Sequence, residues 1–336
     1  MTRARAALLA VPFLLACCGS GPASRAKREH WHRFRHLAGV LDLTGQRRDG
    51  RLTVAAAGRL SLLRTNGSVS AFARGPGGYA TSSGTEAYIA LATAKRRVPG
   101  AGCSFTRDDV FALDPSSRPG VVRVDTGGRA HRFAELPTGS LPNGIAFDTV
   151  GRFGFRLLVT AAGGQTTTLV ALDCRGRSST IARGAPRSEG GIAVAPGSFG
   201  AFGGQLIAPD EHSGRIIAIA ADGGSRTVVS SGLSGGPDIG VESIGFVPAG
   251  FRRSHAAYLA DRGTPGSPHP GTDTVLRLSG AALKRAGVRA GDLLLATEAS
   301  ARTITVRCAG TCTVGRIADG PAVAHAEGHI VFAPGR

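Results

Sequence analysis

The sequence predicts an all-β protein, a β-propeller of six four-stranded blades closed by a C-terminal strand, and three observations carry that prediction. The chain repeats a unit of four short β-branched runs parted by Gly, Asp or Asn turns. It holds 50 Gly and 18 Pro but one Met and 19% charged residues, a supply suited to turns and poor for amphipathic helices. Apolar residues at i, i+3, i+4 and i+7 are not sustained over twelve residues, which argues against a βαβ sheet. Only "SGAALKRAGVRAGD" (279–292) approaches that pattern, and it reads as one short helix or excursion between strands.

The clearest repeat starts at "NGIAFD" (143–148), continues through "RLLVTAA" (156–162) and "TTLVALDCRG" (167–176), and closes with "SSTIA" (178–182). The next runs "GGIAVAP", "GQLIAPDEHSG", "RIIAIAADGG" and "RTVVSS" between 190 and 231. A third begins "ESIGFVP" (242–248) and goes on through "AAYLADRG" (256–263) and "DTVLRLSG" (273–280). Their first-strand residues Ile145, Ile192 and Ile244 lie 47 and 52 apart, the length of a propeller blade. A second-strand pattern, apolar and ending in a small or acidic group, occurs six times: 52–56, 87–93, 156–160, 205–209, 257–261 and 292–298. Six occurrences imply six blades; the short interval from 261 to 292 leaves open five blades with an elaborated last one. "GHIVFAP" (328–334) is expected to join the first blade and close the ring, removing the exposed edges of an open sheet.

The N-terminus predicts the compartment. Arg3 and Arg5 precede an apolar run, Ala6 to Ala16, too short to span a bilayer, so 1–16 reads as a secretory signal. Leu14-Leu15-Ala16-Cys17 resembles a bacterial lipobox, which implies cleavage before Cys17, lipid on its thiol and a membrane lipoprotein outside the cytoplasm. An ordinary signal cut after a small residue would instead give a fully secreted protein. Residues 17–37 then form a tether and 38–336 a single propeller domain, expected as a monomer. The tether contains "RAKREHWHRFRH" (25–36), which reads as a solvated spacer or as a basic tract resting on anionic headgroups. His30, His32 and His36 within it could chelate a transition metal, although tether histidines more often do nothing. Four cysteines remain beyond Cys17 and Cys18, an even count that outside the cytoplasm argues for two disulfides. Cys308 and Cys312 flank a Gly-containing turn between two β-like runs, and by elimination Cys103 joins Cys174.

The formal charge is +17, yet only Lys27, Lys95 and Lys284 are Lys among 40 basic residues, and the Arg are scattered singly. Aromatic-plus-basic stacking motifs are missing, so nucleic acid is not the expected partner. A small-molecule or protein ligand is.

"LPNGIAFD" (141–148) and the tandem "GGQLIAPDEHSGRIIAIAADG" resemble the senescence-marker-protein/gluconolactonase superfamily and the wider set of six-bladed propellers that includes the paraoxonases. The likeness covers most of the chain as a blade rhythm, and only Pro-Asn-Gly is motif-specific. It implies that Asn143 is a ligand of a divalent metal, usually calcium, in the central channel. The residues just ahead of the inner strands add Glu189, Glu242 and Glu327, oxygen donors of the kind Ca²⁺ takes six to eight of. Their register differs: Asn143 and Glu242 stand two before their Ile, whereas Glu189 and Glu327 stand three before theirs. A one-residue shift turns a side chain to the other face unless a Gly bulge absorbs it, and Gly190-Gly191 and Gly328 are placed to do so. Asn143 also reads as an Asx-type turn corner needing no metal.

Two functions follow. One is a cell-envelope binding propeller with a central divalent-metal site. The other is a calcium-dependent hydrolase of lactones or related esters, in which the metal polarises the carbonyl and a carboxylate or His activates water. For the second, Asp210, Glu211, His212, Asp261 and His325 are candidates, although "PDEHSGR" also reads as a hairpin turn on the rim. The family's early glutamate and its aspartate in a Pro-Asp-Gly-like context are not recognisable, which favours the binding role.

Overall fold

A computed structural model describes residues 28–73, 79, 86–136 and 141–335. The signal segment, Cys17 and the anchor it implies lie outside the described residues. Four consecutive stretches each fold into a four-stranded antiparallel sheet. Blade 1 comprises Val40–Gln46, Leu52–Ala56, Arg59–Leu63 and Val69–Ala71, and blade 2 Ile89–Leu91, Val110–Asp114, Gly120–Val124 and Ala130–Glu135. Blade 3 comprises Leu141–Phe147, Leu157–Gly163, Thr166–Leu172 and Ser178–Pro186, and blade 4 Ala193–Val194, Leu206–Asp210, Arg215–Ile219 and Ser225–Ser230.

The last two blades interleave. Blade 5 takes its inner strand from Val241–Phe246 and the rest from Leu293–Thr297, Thr303–Ala309 and Thr311–Asp319. Blade 6 runs from Ala326–Pro334 innermost through His255–Asp261 and Thr274–Ser279 to His32–His36 outermost. Six blades are therefore present, not five. The third sequence repeat is split between two of them: its first strand belongs to blade 5, its second and third to blade 6. The 279–292 excursion contains the short helix Gly280–Arg285, capped by Ser279, whose hydroxyl accepts from the Ala282 amide at 3.2 Å.

Three expectations are corrected. The C-terminal strand does not join blade 1; it is the inner strand of blade 6, and the N-terminal strand is that blade's outer edge. Residues 87–93 are not a second strand, because Ile89–Leu91 is the inner strand of blade 2. The tether does not extend to 37, since Glu29–His30 and His32–His36 pair with blades 5 and 6. Basic residues hid this last strand: Trp31 and Phe34 point inward between solvated Arg and His. Trp31 is 3% exposed and donates from Nε1 to Thr303 Oγ1 at 2.8 Å.

Six apolar clusters, one between each neighbouring pair of blades, close the ring. Alternation along each strand builds them. In blade 3, Leu157 and Val159 pack toward blade 2, against Phe111 and Val121, while Leu158 packs toward blade 4, against Leu206 and Ile217. Both faces of the middle strands are thus buried, which explains their continuous apolar runs. The ring closes where Tyr258 and Val275 of blade 6 meet Leu52 and Val54 of blade 1. Disulfides join Cys103 to Cys174, linking blades 2 and 3, and Cys308 to Cys312 across the blade 5 hairpin. Among the described residues, no helix is long and apolar enough to cross a membrane.

Candidate functional site

The inner strands surround the axis. One end of the channel is apolar, a cavity of about 310 Å³ to which they contribute Leu43, Ile89, Ile145, Ile192, Ile244 and Ile330. The other end, where the strands begin, is polar. There several strands depart from regular pairing: the register shifts at Asn143, at Glu242 and ahead of Asp42. Gly190 and Gly328 have φ of +84° and +67°. These bulges absorb the one-residue offset between the copies and aim the preceding side chain at the mouth. A Cβ on Gly190 would run into the Glu242 carboxylate, and one on Gly328 into Asp42.

All four expected ligands gather at this mouth, but they are not equivalent. Asn143 is 7% exposed; its Nδ2 donates to the Ser188 carbonyl at 2.7 Å, while Oδ1 is buried without a partner. Glu242 Oε1 lies 2.7 Å from the Tyr88 hydroxyl, and Oε2 has no donor. Glu327 is fully engaged: Oε2 lies 2.7 Å from the Tyr88 hydroxyl, and Oε1 faces Arg262 at 3.1 Å and His325 Nε2 at 3.4 Å. Glu189 is half-buried and paired with Arg187 at 2.6 Å. The backbone ties three of these strands together, because Gly190 N–H donates to Asn143 O and Gly191 N–H to Glu242 O, at 3.2 and 3.0 Å.

Several members escaped the sequence. Glu86 brings an oxygen within 4.8 Å of oxygens of Glu242 and Glu327, and Arg262 pairs with it at 3.1 Å. A cavity of about 150 Å³ opens beside these groups, lined by Glu86, Glu189, Glu211, Asp238, Glu242 and Glu298 among others. Reading 87–93 as a second strand concealed Glu86 and Tyr88, since residues ahead of a second strand do not face the axis. Of the catalytic candidates, Asp210 belongs to the rim hairpin, bonded to Ser213, and Asp261 accepts the His325 amide at 2.8 Å. Glu211 and His212 line the cavity. His325 sits inside the cluster, 3.2 Å from Glu298 Oε1.

Crowding sets the electrostatics. A phenol has one proton, so Tyr88 cannot donate to Glu242 and Glu327 at once; one carboxyl must return a proton or yield its charge to a cation. Burial, reinforced by the charges of Glu327 and Glu298, holds Glu242 well above the usual carboxylate range. The charge of Glu327 and then burial raise Glu86 to about 7, against the pull of Arg262. Burial lifts Glu298 to about 9 despite its bond to His325. For His325 burial acts downward, but Glu298 and Glu327 outweigh it and raise the imidazole to about 10. Glu327 is the exception: burial would raise it, yet His325 and Arg262 hold it below the normal value.

The residues suit a divalent cation on two counts. Asn143 Oδ1 and Glu242 Oε2 are buried acceptors that no protein donor satisfies. The carboxylates around the cavity outnumber the cations facing them, in a chain whose net charge is +17. Glu86, Glu242 and Glu327 bring oxygens within 4.8 Å of one another, and Arg262 and Tyr88 already engage Glu327, so an ion would rest chiefly on Glu86 and Glu242.

No protein-family model matches the chain, and no curated protein matches it. Solved structures with a similar fold include a streptogramin B lyase, 13% identical over 85% of this chain and 72% of the other, with a TM-score of 0.47. Virginiamycin B lyase from Staphylococcus aureus is 11% identical over 84% of this chain and 72% of its own, with a TM-score of 0.49. A gluconolactonase from Xanthomonas campestris is 15% identical over 73% and 86%, with a TM-score of 0.36. At these identities the likeness concerns the fold alone; the chain's own ring of six four-stranded blades makes it a β-propeller.

Proposed function

We propose that this propeller works outside the cytoplasm, anchored through Cys17, and binds a divalent cation, calcium, at the polar mouth of its channel. The observation that carries this reading is the pair of unpartnered buried oxygens, Asn143 Oδ1 and Glu242 Oε2, on strands tied to the same Gly190-Gly191 backbone, with Glu242 on the wall of an acidic cavity. An all-oxygen set suits a hard ion better than a transition metal. A bound cation also offsets the burial that raises Glu242 and the neighbouring charge that raises Glu86. An ion held there would leave room in the adjoining cavity for an oxygen-rich small molecule or an acidic segment of a protein partner. The two disulfides agree with an oxidising compartment.

The experiment is calcium titration of the full chain by calorimetry. Wild type is expected to bind one equivalent, and Asn143→Ala to weaken binding at least tenfold. Equal binding by wild type and variant sinks the site. Mass spectrometry of the mature N-terminus tests the anchor, because an unmodified Cys17 is incompatible with it.

A second reading, hydrolysis of lactones or related esters, is favoured by the proton-holding group made by His325, Glu298 and Glu327. Bound calcium would supply carbonyl polarisation, and His325 would hold or release a proton at Nε2. Chelator-sensitive turnover across a lactone panel, lost in Asn143→Ala, supports hydrolysis; its absence leaves a binding protein.

A further inference from the structure

We propose that Asp238, Glu298 and His325 form a second metal site beside the all-oxygen one, suited to a transition ion such as zinc. Each residue offers one ligand atom, and these atoms lie within 4.8 Å of one another. They come from three places at the same mouth. Asp238 stands in the loop that leads into blade 5, Glu298 just past that blade's second strand, and His325 just ahead of the blade 6 inner strand.

The histidine is oriented as a ligand. His325 Nδ1 lies 3.1 Å from the His269 carbonyl, which can only accept, so the hydrogen-bond network assigns the Nδ1 proton to that bond. Nε2 faces Glu298 and Glu327, and a metal ion that displaces its proton would meet the Nε2 lone pair on that side. A backbone carbonyl behind the imidazole is a recurrent support for metal-bound histidine. The backbone on either side is fixed too: the His325 amide donates to Asp261 Oδ1 and the His325 carbonyl accepts from the Arg262 amide, both at 2.8 Å.

One ligand pair already has the spacing of a coordination polyhedron. Zinc bonds of about 2.1 Å in tetrahedral geometry place neighbouring ligand atoms about 3.4 Å apart. His325 Nε2 and Glu298 Oε1 are 3.2 Å apart.

An independent sign comes from Glu298. The residue is 6% exposed, and its Oε2 is buried without a hydrogen-bond donor. Glu211, another carboxyl, stands within hydrogen-bond reach of Glu298, so the two acids must share either a proton or a cation. A cation between them satisfies both. Asp238 is exposed and supplies the route from solvent. Its φ of +60° is held by the surrounding loop, which is pinned where Gly236 N–H donates to Glu211 O at 3.1 Å and Glu298 N–H to Gly240 O at 2.8 Å. A nitrogen ligand separates this site from the calcium site: imidazole suits zinc, cobalt or nickel, whereas calcium takes oxygen.

The test is titration of Co²⁺ alone as probe into the untagged full chain, with calcium in excess to fill the all-oxygen site. The expected result is one equivalent of Co²⁺ with the intense visible bands of a four- or five-coordinate ion. His325→Gln and Asp238→Asn should each weaken Co²⁺ binding at least tenfold, while Asn143→Ala leaves it unchanged. Asp238→Asn is the safer variant for folding, since Asn tolerates a positive φ, and it decides the matter if His325→Gln does not fold. No Co²⁺ uptake in calcium excess, or uptake that Asp238→Asn leaves unaltered, overturns the second site. Loss of calcium binding with Co²⁺ binding intact would instead count against the all-oxygen site alone.

Discussion

His329 Nδ1 lies 2.9 Å from Asp42 Oδ2, and this pair fastens three blades at the channel axis. Asp42 is fully buried and also accepts the backbone N–H groups of Leu43 at 2.8 Å, Ile89 at 2.8 Å and His329 at 2.7 Å. One carboxylate thus joins blades 1, 2 and 6, including the junction where the ring closes. Removing it leaves several buried donors without an acceptor, each costing about 1–3 kcal/mol. Asp42→Ala should therefore lose at least about 3 kcal/mol in urea denaturation. A loss under about 1 kcal/mol would show that water replaces the carboxylate freely.

Gly328 and Gly190 are the backbone counterparts of these contacts. Both adopt positive φ, and an added Cβ meets Asp42 in one case and Glu242 in the other. Gly328→Ala should cost about 2–4 kcal/mol from the combined backbone and overpacking penalties. Gly190→Ala should cost a similar amount and also weaken calcium binding, because it displaces the Glu242 carboxylate. Calorimetric melting and calcium titration check both, and neutral behaviour at either position contradicts the bulge assignment.

The N-terminal strands make a third prediction, on folding. Trp31 fills the cluster between blades 5 and 6, beside Leu259 and Ile317. Trp31→Ala should destabilise by about 3–5 kcal/mol. Deleting residues 1–37 should remove the outer strand of blade 6 and expose its edge to association. A deletion that stays monomeric with an unchanged melting temperature would restore the tether reading.

Protonation at the mouth makes stability depend on pH. Glu86 at about 7, Glu298 at about 9 and His325 at about 10 all hold protons more tightly in the folded chain than in the unfolded one. Between the unfolded carboxylate value, about 4.5, and about 10, the native state therefore binds more protons, and stability falls as pH rises. Glu327, held low, has the opposite sign and loses its contribution only as pH falls below the carboxylate range. In chelator, the melting temperature should decline from pH 5 toward pH 9. Added calcium or zinc should raise it more at pH 9 than at pH 6. Glu298→Gln should flatten the chelator profile; an unchanged slope would place the effect elsewhere.

The sequence by itself determined the architecture. Four-run repeats about fifty residues apart, Gly-rich turns and strands apolar on both faces admit little besides a ring of blades, because each blade must bury both of its faces. It also brought Asn143, Glu189, Glu242 and Glu327 to notice, since a shared position ahead of the inner strand is a local property. Only the tertiary structure decided which strands share a blade at the ends of the chain. Pairing of 326–334 with 255–261, and of 32–36 with 274–279, is long-range and leaves no local periodicity. It decided the site's composition for the same reason. Glu86, Tyr88, Arg262, Glu298 and His325 are scattered over 240 positions of the chain and meet only because six blades converge on one axis. Convergence also sets their chemistry: burial and mutual charge, not residue type, separate a low-lying Glu327 from a raised Glu242.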